Sequence, residues 1–153
     1  GHHHLRVMLA ELSRLAADGA MTIDQALKQA ATLMKRRGMI VVISDFYEDE
    51  AALPQLRRLA RMGHDVIAIH TLSRHEISLD NGGAAELVDL ESGRKLLVQP
   101  SSIRDRYTQT FNEWLTATEA QVRRDGMDYL RVIAGEPLEP VLRRFLVGRR
   151  GGN

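Results

Sequence analysis

Met39-Ile40-Val41-Val42-Ile43-Ser44-Asp45-Phe46-Tyr47 decides how the rest of the chain is read. Five consecutive aliphatic residues follow Gly38 and run into a hydroxyl and a carboxylate. An apolar run of that length, β-branched through its middle, reads as a strand buried on both faces, which is the habit of a parallel sheet. In open α/β sheets, ligands gather outside the carboxyl ends of the strands. Chemistry is therefore expected at Ser44 and Asp45, with the acidic Glu48-Asp49-Glu50 directly after them. The plain alternative is a turn, or an Asp45 cap on the next helix.

Toward the C-terminus, Leu53, Leu56, Leu59 and Ala60 form the apolar stripe of a helix that closes at Gly63, and Asp65 to Thr71 is a second buried strand. Strand, helix and strand within about thirty residues make a right-handed βαβ unit. After Leu72 the pattern loosens into a loop at Ser78 to Ala84 and a hairpin of Glu86 to Leu90 and Arg94 to Val98 around Glu91-Ser92-Gly93. Pro100-Ser101-Ser102 opens a long helix that ends at Gly126, with Ile103, Tyr107, Phe111, Trp114, Leu115 and Val122 inward. Aromatic residues at helical spacing read as core rather than as a base-stacking surface. Met127 to Ile133 is a third strand, Glu136-Pro137 opens a last helix, and Gly148 to Asn153 is a basic tail.

Toward the N-terminus, Thr22-Ile23-Asp24-Gln25 is a capping-box signature ahead of a helix running to Arg37 and stopping at Gly38. Leu5, Met8, Leu9, Leu12, Leu15 and Ala16 mark one more helix, ended by Asp18-Gly19. Gly1-His2-His3-His4 reads as a tag remnant or a disordered start. This leaves one domain over 5–149 and a tail over 150–153.

Composition excludes several classes. At 153 residues, 44% apolar, the chain has room for one core. A net charge of +1 gives no global field toward nucleic acid or anionic membrane, and the arginine clusters fall on helix ends and polar faces. No cysteine is present, so thiolate chemistry and disulfides are excluded, and a reducing compartment is the natural home. No segment spans a bilayer or reads as a signal peptide, so the expected location is cytoplasmic. His64, His70 and His75 read as structural residues rather than a metal cluster.

Thr22, the Ile43-Ser44-Asp45 strand end, Gly63-His64-Asp65-Val66, Asp89-Leu90-Glu91-Ser92-Gly93 and Arg104-Asp105-Arg106-Tyr107 occur in that order. Together they resemble the C-terminal part of bacterial proteins of domain-of-unknown-function family 58, whose fold is similar to the von Willebrand factor type A domain. The resemblance covers Leu5 to Arg149 and implies a three-layer, Rossmann-like α/β domain with a parallel sheet, its N-terminal strands missing and one β-hairpin inserted. It also implies a metal-ion-dependent adhesion site for Mg²⁺, in which Thr22 matches the threonine and Asp45 the aspartate, with Ser44 beside it. The D-x-S-x-S loop that supplies the other ligands does not occur in this sequence. The expectation is therefore Mg²⁺ in the full-length protein and an incomplete site, without cofactor, in this chain.

The function implied by the resemblance is a non-enzymatic protein-interaction module acting with a MoxR-type AAA+ ATPase in a chaperone-like assembly, without nucleic-acid or membrane partners. The alternative is a metal-dependent phosphohydrolase or receiver-like domain using Asp45. That reading needs a second carboxylate close by, and Asp49 falls four residues on. A strand lacking its neighbour also exposes an apolar edge, so a homodimer through that edge is expected.

Overall fold

The computed structural model describes residues 2–16, 21–47, 52–78, 85–88, 95–98 and 100–150. Its elements are α1 (His2–Leu12), α2 (Ile23–Leu33), β1 (Met39–Ser44), α3 (Ala52–Arg61), β2 (Asp65–Leu72), α4 (Arg74–Ile77), β3 (Ala85–Val88), β4 (Lys95–Val98), α5 (Pro100–Arg124), β5 (Asp128–Ile133) and α6 (Leu138–Arg150). β1, β2 and β5 form a three-stranded sheet in the order β1-β2-β5, parallel throughout. β3 and β4 pair antiparallel as a separate two-stranded ribbon, Ala85 opposite Val98 and Val88 opposite Lys95. The hairpin turn at Glu91-Ser92-Gly93, the loop from Leu79 to Ala84 and the acidic Glu48-Asp49-Glu50 lie outside the described residues.

Two crossovers that step the same way across a sheet, each right-handed, must put their helices on the same face. Leu56 and Leu59 of α3 and Val122 of α5 accordingly share one buried cluster with Val66 and Ala68 of β2 and Tyr129 of β5. Leu27 of α2 joins them, and Ile40 and Val42 of β1 pack against the same cluster. Leu56 and Val122 are wholly buried, and each such side chain stabilises the fold by about 1.5–3 kcal/mol. The opposite face carries α6, whose Arg149 pairs with Asp65 and, at 2.7 Å, with Asp128. Helices thus lie on both faces of the parallel sheet.

Burial on both faces belongs to β2, where Val66, Ile67 and Ala68 are all buried, and not to β1. β1 alternates between exposed and half-buried residues along its length. The reason is topological: among the described residues it is an edge strand with helices on one side only, so Met39, Val41 and Ile43 stay 59%, 47% and 67% exposed. The apolar run signalled a strand, but sheet order set its burial.

Local signals account for the helix ends. The Thr22 hydroxyl accepts the Gln25 N–H and the Gln25 side chain accepts the Thr22 N–H, both at 3.2 Å, which completes the capping box. α2 stops at Leu33, four residues short of Arg37, because Met34 is already extended and the chain must bring Gly38 beside β2. There the Gly38 carbonyl accepts the Asp65 N–H at 3.0 Å, and the Gly38 N–H donates to His64 Nδ1 at 3.2 Å. α6 continues through Gly148 to Arg150, where sequence placed a tail from Gly148, because the two carboxylates hold Arg149. α1 begins at His2, ahead of the Leu5 start, and buries none of its residues.

α3 and α5 both end in a glycine with positive φ, Gly63 at 88° and Gly126 at 77°. At each, paired bonds close the helix: His64 N–H to Leu59 and Gly63 N–H to Ala60, then Met127 N–H to Val122 and Gly126 N–H to Arg123. A side chain at Gly63 would meet left-handed strain as well as the Arg37 guanidinium, 2.7 Å from where a Cβ would stand. Arg37 can move, so the strain decides the outcome. Gly63→Ala is expected to lower unfolding stability by about 1–3 kcal/mol in urea titration, whereas Gly148→Ala, where a Cβ meets open space, leaves it within about 0.5 kcal/mol.

Candidate functional site

All three sheet strands point their carboxyl ends the same way, and the chain leaves β1 there through Ser44, Asp45 and Phe46. The turn is built by its own side chains. Ser44 Oγ accepts the Phe46 N–H at 3.0 Å and Asp45 Oδ1 accepts the Tyr47 N–H at 3.2 Å. Phe46 takes a left-handed φ of 57°, a conformation costing an L-residue about 1–2 kcal/mol. Its ring is buried and edge-on to His70, 5.3 Å between centroids, and that burial holds the strained backbone in place. Asp45 is left exposed on top of the turn and Ser44 half-buried.

Beneath the turn lies an aromatic floor centred on His70, which is fully buried opposite Ser44 in the sheet. His70 Nδ1 is 2.7 Å from the Tyr129 hydroxyl, and its ring meets Trp114 and Tyr129 edge-on at 5.2 and 5.8 Å. Nε2 makes no hydrogen bond of ordinary geometry, although the backbone carbonyl of Asp45 lies near enough to favour the protonated ring. Desolvation outweighs that pull, and the His70 pKa falls below its ordinary value. Tyr47 stacks on Trp114 at 4.9 Å and 9°, and Tyr107 donates to the Glu76 carbonyl at 2.8 Å. Burial, then the neighbouring Tyr107, pushes the Tyr47 hydroxyl's pKa well above its usual range.

Ser44 and Asp45 stand together by sequence and by structure, while Thr22 is placed as the exposed N-cap of α2. All three side chains already accept a backbone N–H, and among them is one formal charge. Mg²⁺ asks for an octahedron of hard oxygens, usually including more than one anion or phosphate. Among the described residues no group of three or more His, Cys, Asp or Glu could hold a metal. The donor set therefore does not fit a self-sufficient magnesium centre, and Thr22, Ser44 and Asp45 supply at most part of one.

The three histidines lie apart. His64 sits beside Gly38 at the amino end of the sheet, His70 under the opposite end, and His75 in α4. Ser44 and His70 are each engaged elsewhere, so no Ser-His-Asp relay forms from them and Asp45. A groove of about 1160 Å³ runs between β5 and α6 and includes none of Thr22, Ser44 or Asp45. Three of its four arginines face carboxylates, Arg131 and Arg123 toward Glu119, Arg149 toward Asp65 and Asp128. What sequence reading missed was the floor. His70 and Tyr129 lie 59 residues apart and are offset by two residues in register, Tyr129 standing opposite Ala68 and His70 opposite Arg131, so no local pattern signals the pair.

The family model described as "Protein of unknown function DUF58" matches residues 1–116. Uncharacterized proteins of Mycobacterium bovis and Mycobacterium tuberculosis are 29% identical over 161 residues, covering 99% of this chain and 49% of theirs. The chain thus spans about half the length of the curated relatives it matches. Among solved structures, the conserved hypothetical protein BatB from Bacteroides thetaiotaomicron is similar with a TM-score of 0.44 and 12% identity, over 90% of this chain and 63% of that one. Among the described residues no helix is long and apolar enough to cross a membrane.

A depressed His70 pKa fixes the sign of a pH effect. As pH falls through about 6.5 the unfolded histidine binds a proton while the folded one stays neutral, so stability declines until the folded pKa is passed. The urea midpoint of the wild-type chain is expected to drop between pH 7 and pH 5, and His70→Gln, which has no proton to gain, should flatten that decline. An equal slope in both proteins would remove His70 as its source.

Proposed function

The chain belongs to the family of proteins of unknown function DUF58, and on that premise we propose that it is a non-enzymatic, cytoplasmic protein-interaction module whose contact point is the Ser44-Asp45 turn. The observation that carries this reading is the placement of Asp45. Its carboxylate is exposed at the carboxyl end of the sheet, on a turn fixed by two side-chain hydrogen bonds and anchored by a buried, strained Phe46. A rigid base under an exposed charge suits recognition, because little side-chain or loop freedom is lost on binding. The partner we propose is a MoxR-type AAA+ ATPase, in a chaperone-like assembly.

Thr22, Ser44 and Asp45 act here as an incomplete metal-ion-dependent adhesion site. One carboxylate and two hydroxyls engaged in caps and turns leave any shell to be finished by groups outside this set. The phosphohydrolase or receiver reading gains no supporting observation, since its second carboxylate, Asp49, falls outside the described residues.

The test is binding to an immobilised MoxR-type ATPase, with and without Mg²⁺, after removal of His2 to His4. Asp45→Ala is expected to weaken binding by at least about tenfold, or about 1.4 kcal/mol, while Asp105→Ala leaves it unchanged. Parallel calorimetric titration with Mg²⁺ alone is expected to give no heat above dilution in either protein. Equal ATPase binding by the wild type and Asp45→Ala would remove the turn from the interface.

A further inference from the structure

Donors and acceptors in the floor beneath the Asp45 turn can be counted one by one, and the count has a direction. Arg131 stands opposite His70 in the sheet and two residues after Tyr129, on the same face of β5. Its guanidinium reaches Glu119 at 3.4 Å and also hydrogen-bonds the Tyr129 hydroxyl. A guanidinium only donates, so the Tyr129 oxygen accepts from Arg131 and keeps one proton to give. That proton goes to His70 Nδ1, 2.7 Å away.

A neutral imidazole carries one donor and one acceptor. With Nδ1 accepting, the ring proton sits on Nε2. That nitrogen is enclosed and has no partner of ordinary geometry among the described residues. The Asp45 backbone carbonyl is the acceptor that draws on the ring there. A carbonyl only accepts, so it also asks for the proton on Nε2, and the opposite tautomer would set two lone pairs face to face. A buried N–H left unpaired is costly, which draws the ring and the carbonyl together.

We propose that His70 is a positioning residue for the Asp45 turn, its Nε2–H holding the Asp45 carbonyl at the end of a one-way chain from Arg131 through Tyr129. The inference rests on the reading of the turn as the contact point, and it names what aims the carboxylate. The Asp45 carbonyl shares a peptide plane with the Phe46 N–H, which Ser44 Oγ accepts. Held at the carbonyl by His70 and at the N–H by Ser44, that plane cannot rotate, and the left-handed φ of Phe46 is measured from it. The Phe46 ring packs edge-on to the same imidazole. His70 thus meets the turn twice, by shape at Phe46 and by a directed donor at Asp45. The chain begins at Glu119 and Arg131, which line the groove between β5 and α6, so groove and turn are joined through four side chains.

Nitrogen-15 and carbon-13 NMR of the whole chain, with no ATPase present, tests the assignment. In the wild type the ring proton is expected on Nε2, with a coupling across the hydrogen bond to the Asp45 carbonyl carbon. Two variants then separate the nitrogens. Glutamine places an amide N–H where Nε2 stands, whereas asparagine offers Tyr129 an oxygen near Nδ1 but falls short of Asp45. His70→Gln is expected to keep amide exchange at Phe46 and Tyr47 within about threefold of the wild type, and His70→Asn to speed both at least about tenfold. Amides paired between β1 and β2 report that each variant is folded. Binding to the MoxR-type ATPase should follow the same order, weakening about tenfold for His70→Asn alone. A proton on Nδ1, or equal exchange in the two variants, overturns the proposal, and the wild-type spectrum decides the tautomer even where neither variant folds. Failure of the ATPase to bind wild type, with the exchange order as expected, removes the contact reading alone and leaves His70 as the residue that positions the turn.

Discussion

Parallel pairing on both sides of β2 is the constraint on which the remaining structure depends. Two parallel strands cannot be joined by a tight turn, so each pairing brings a helical crossover with it. Handedness then sends α3 and α5 to the same face, and α2 enters β1 from that face too. The core is consequently one-sided at β1: Ile40 and Val42 are packed, while Met39, Val41 and Ile43 are left exposed. The same parallel arrangement gathers every strand's carboxyl end, which brings the Ser44-Asp45 turn directly above His70.

Much of this was legible in the residues. Strand and helix signals come from short-range chemistry, and the glycine stops, the Thr22-Gln25 box and the periodic apolar stripes are all of that kind. Burial is not a short-range property. Met39 to Ile43 carries the composition of a central strand, yet the central strand is β2, because centrality depends on the order in which strands are laid down. The α2 terminus fails for a related reason. Lys35-Arg36-Arg37 looks like a helix end that cations would favour, but the Gly38 and His64 contact draws the chain into extended form first.

The candidate site divides along the same line. Ser44 and Asp45 were visible because position after an apolar strand is a sequence feature. Their hydrogen bonds show why those residue types suit the position: short oxygen-bearing side chains close the turn on its own backbone. The floor was invisible, since His70, Trp114 and Tyr129 meet only through strand register and helix placement. The chemistry of the turn also argues against reading it as a ligand set alone, because each candidate side chain already accepts a backbone N–H.

Rigidity at the turn and openness along β1 follow from one another. The left-handed Phe46 is kept in place by burial against His70, so the backbone leaving β1 has little freedom to fold over the strand's outer row. A mobile turn could bring the following segment back to cover Met39, Val41 and Ile43. This one sends the chain instead into α3, on the packed face, where Ala52 and Leu56 are fully buried. The strained turn that leaves Asp45 exposed therefore also leaves the apolar row uncovered among the described residues.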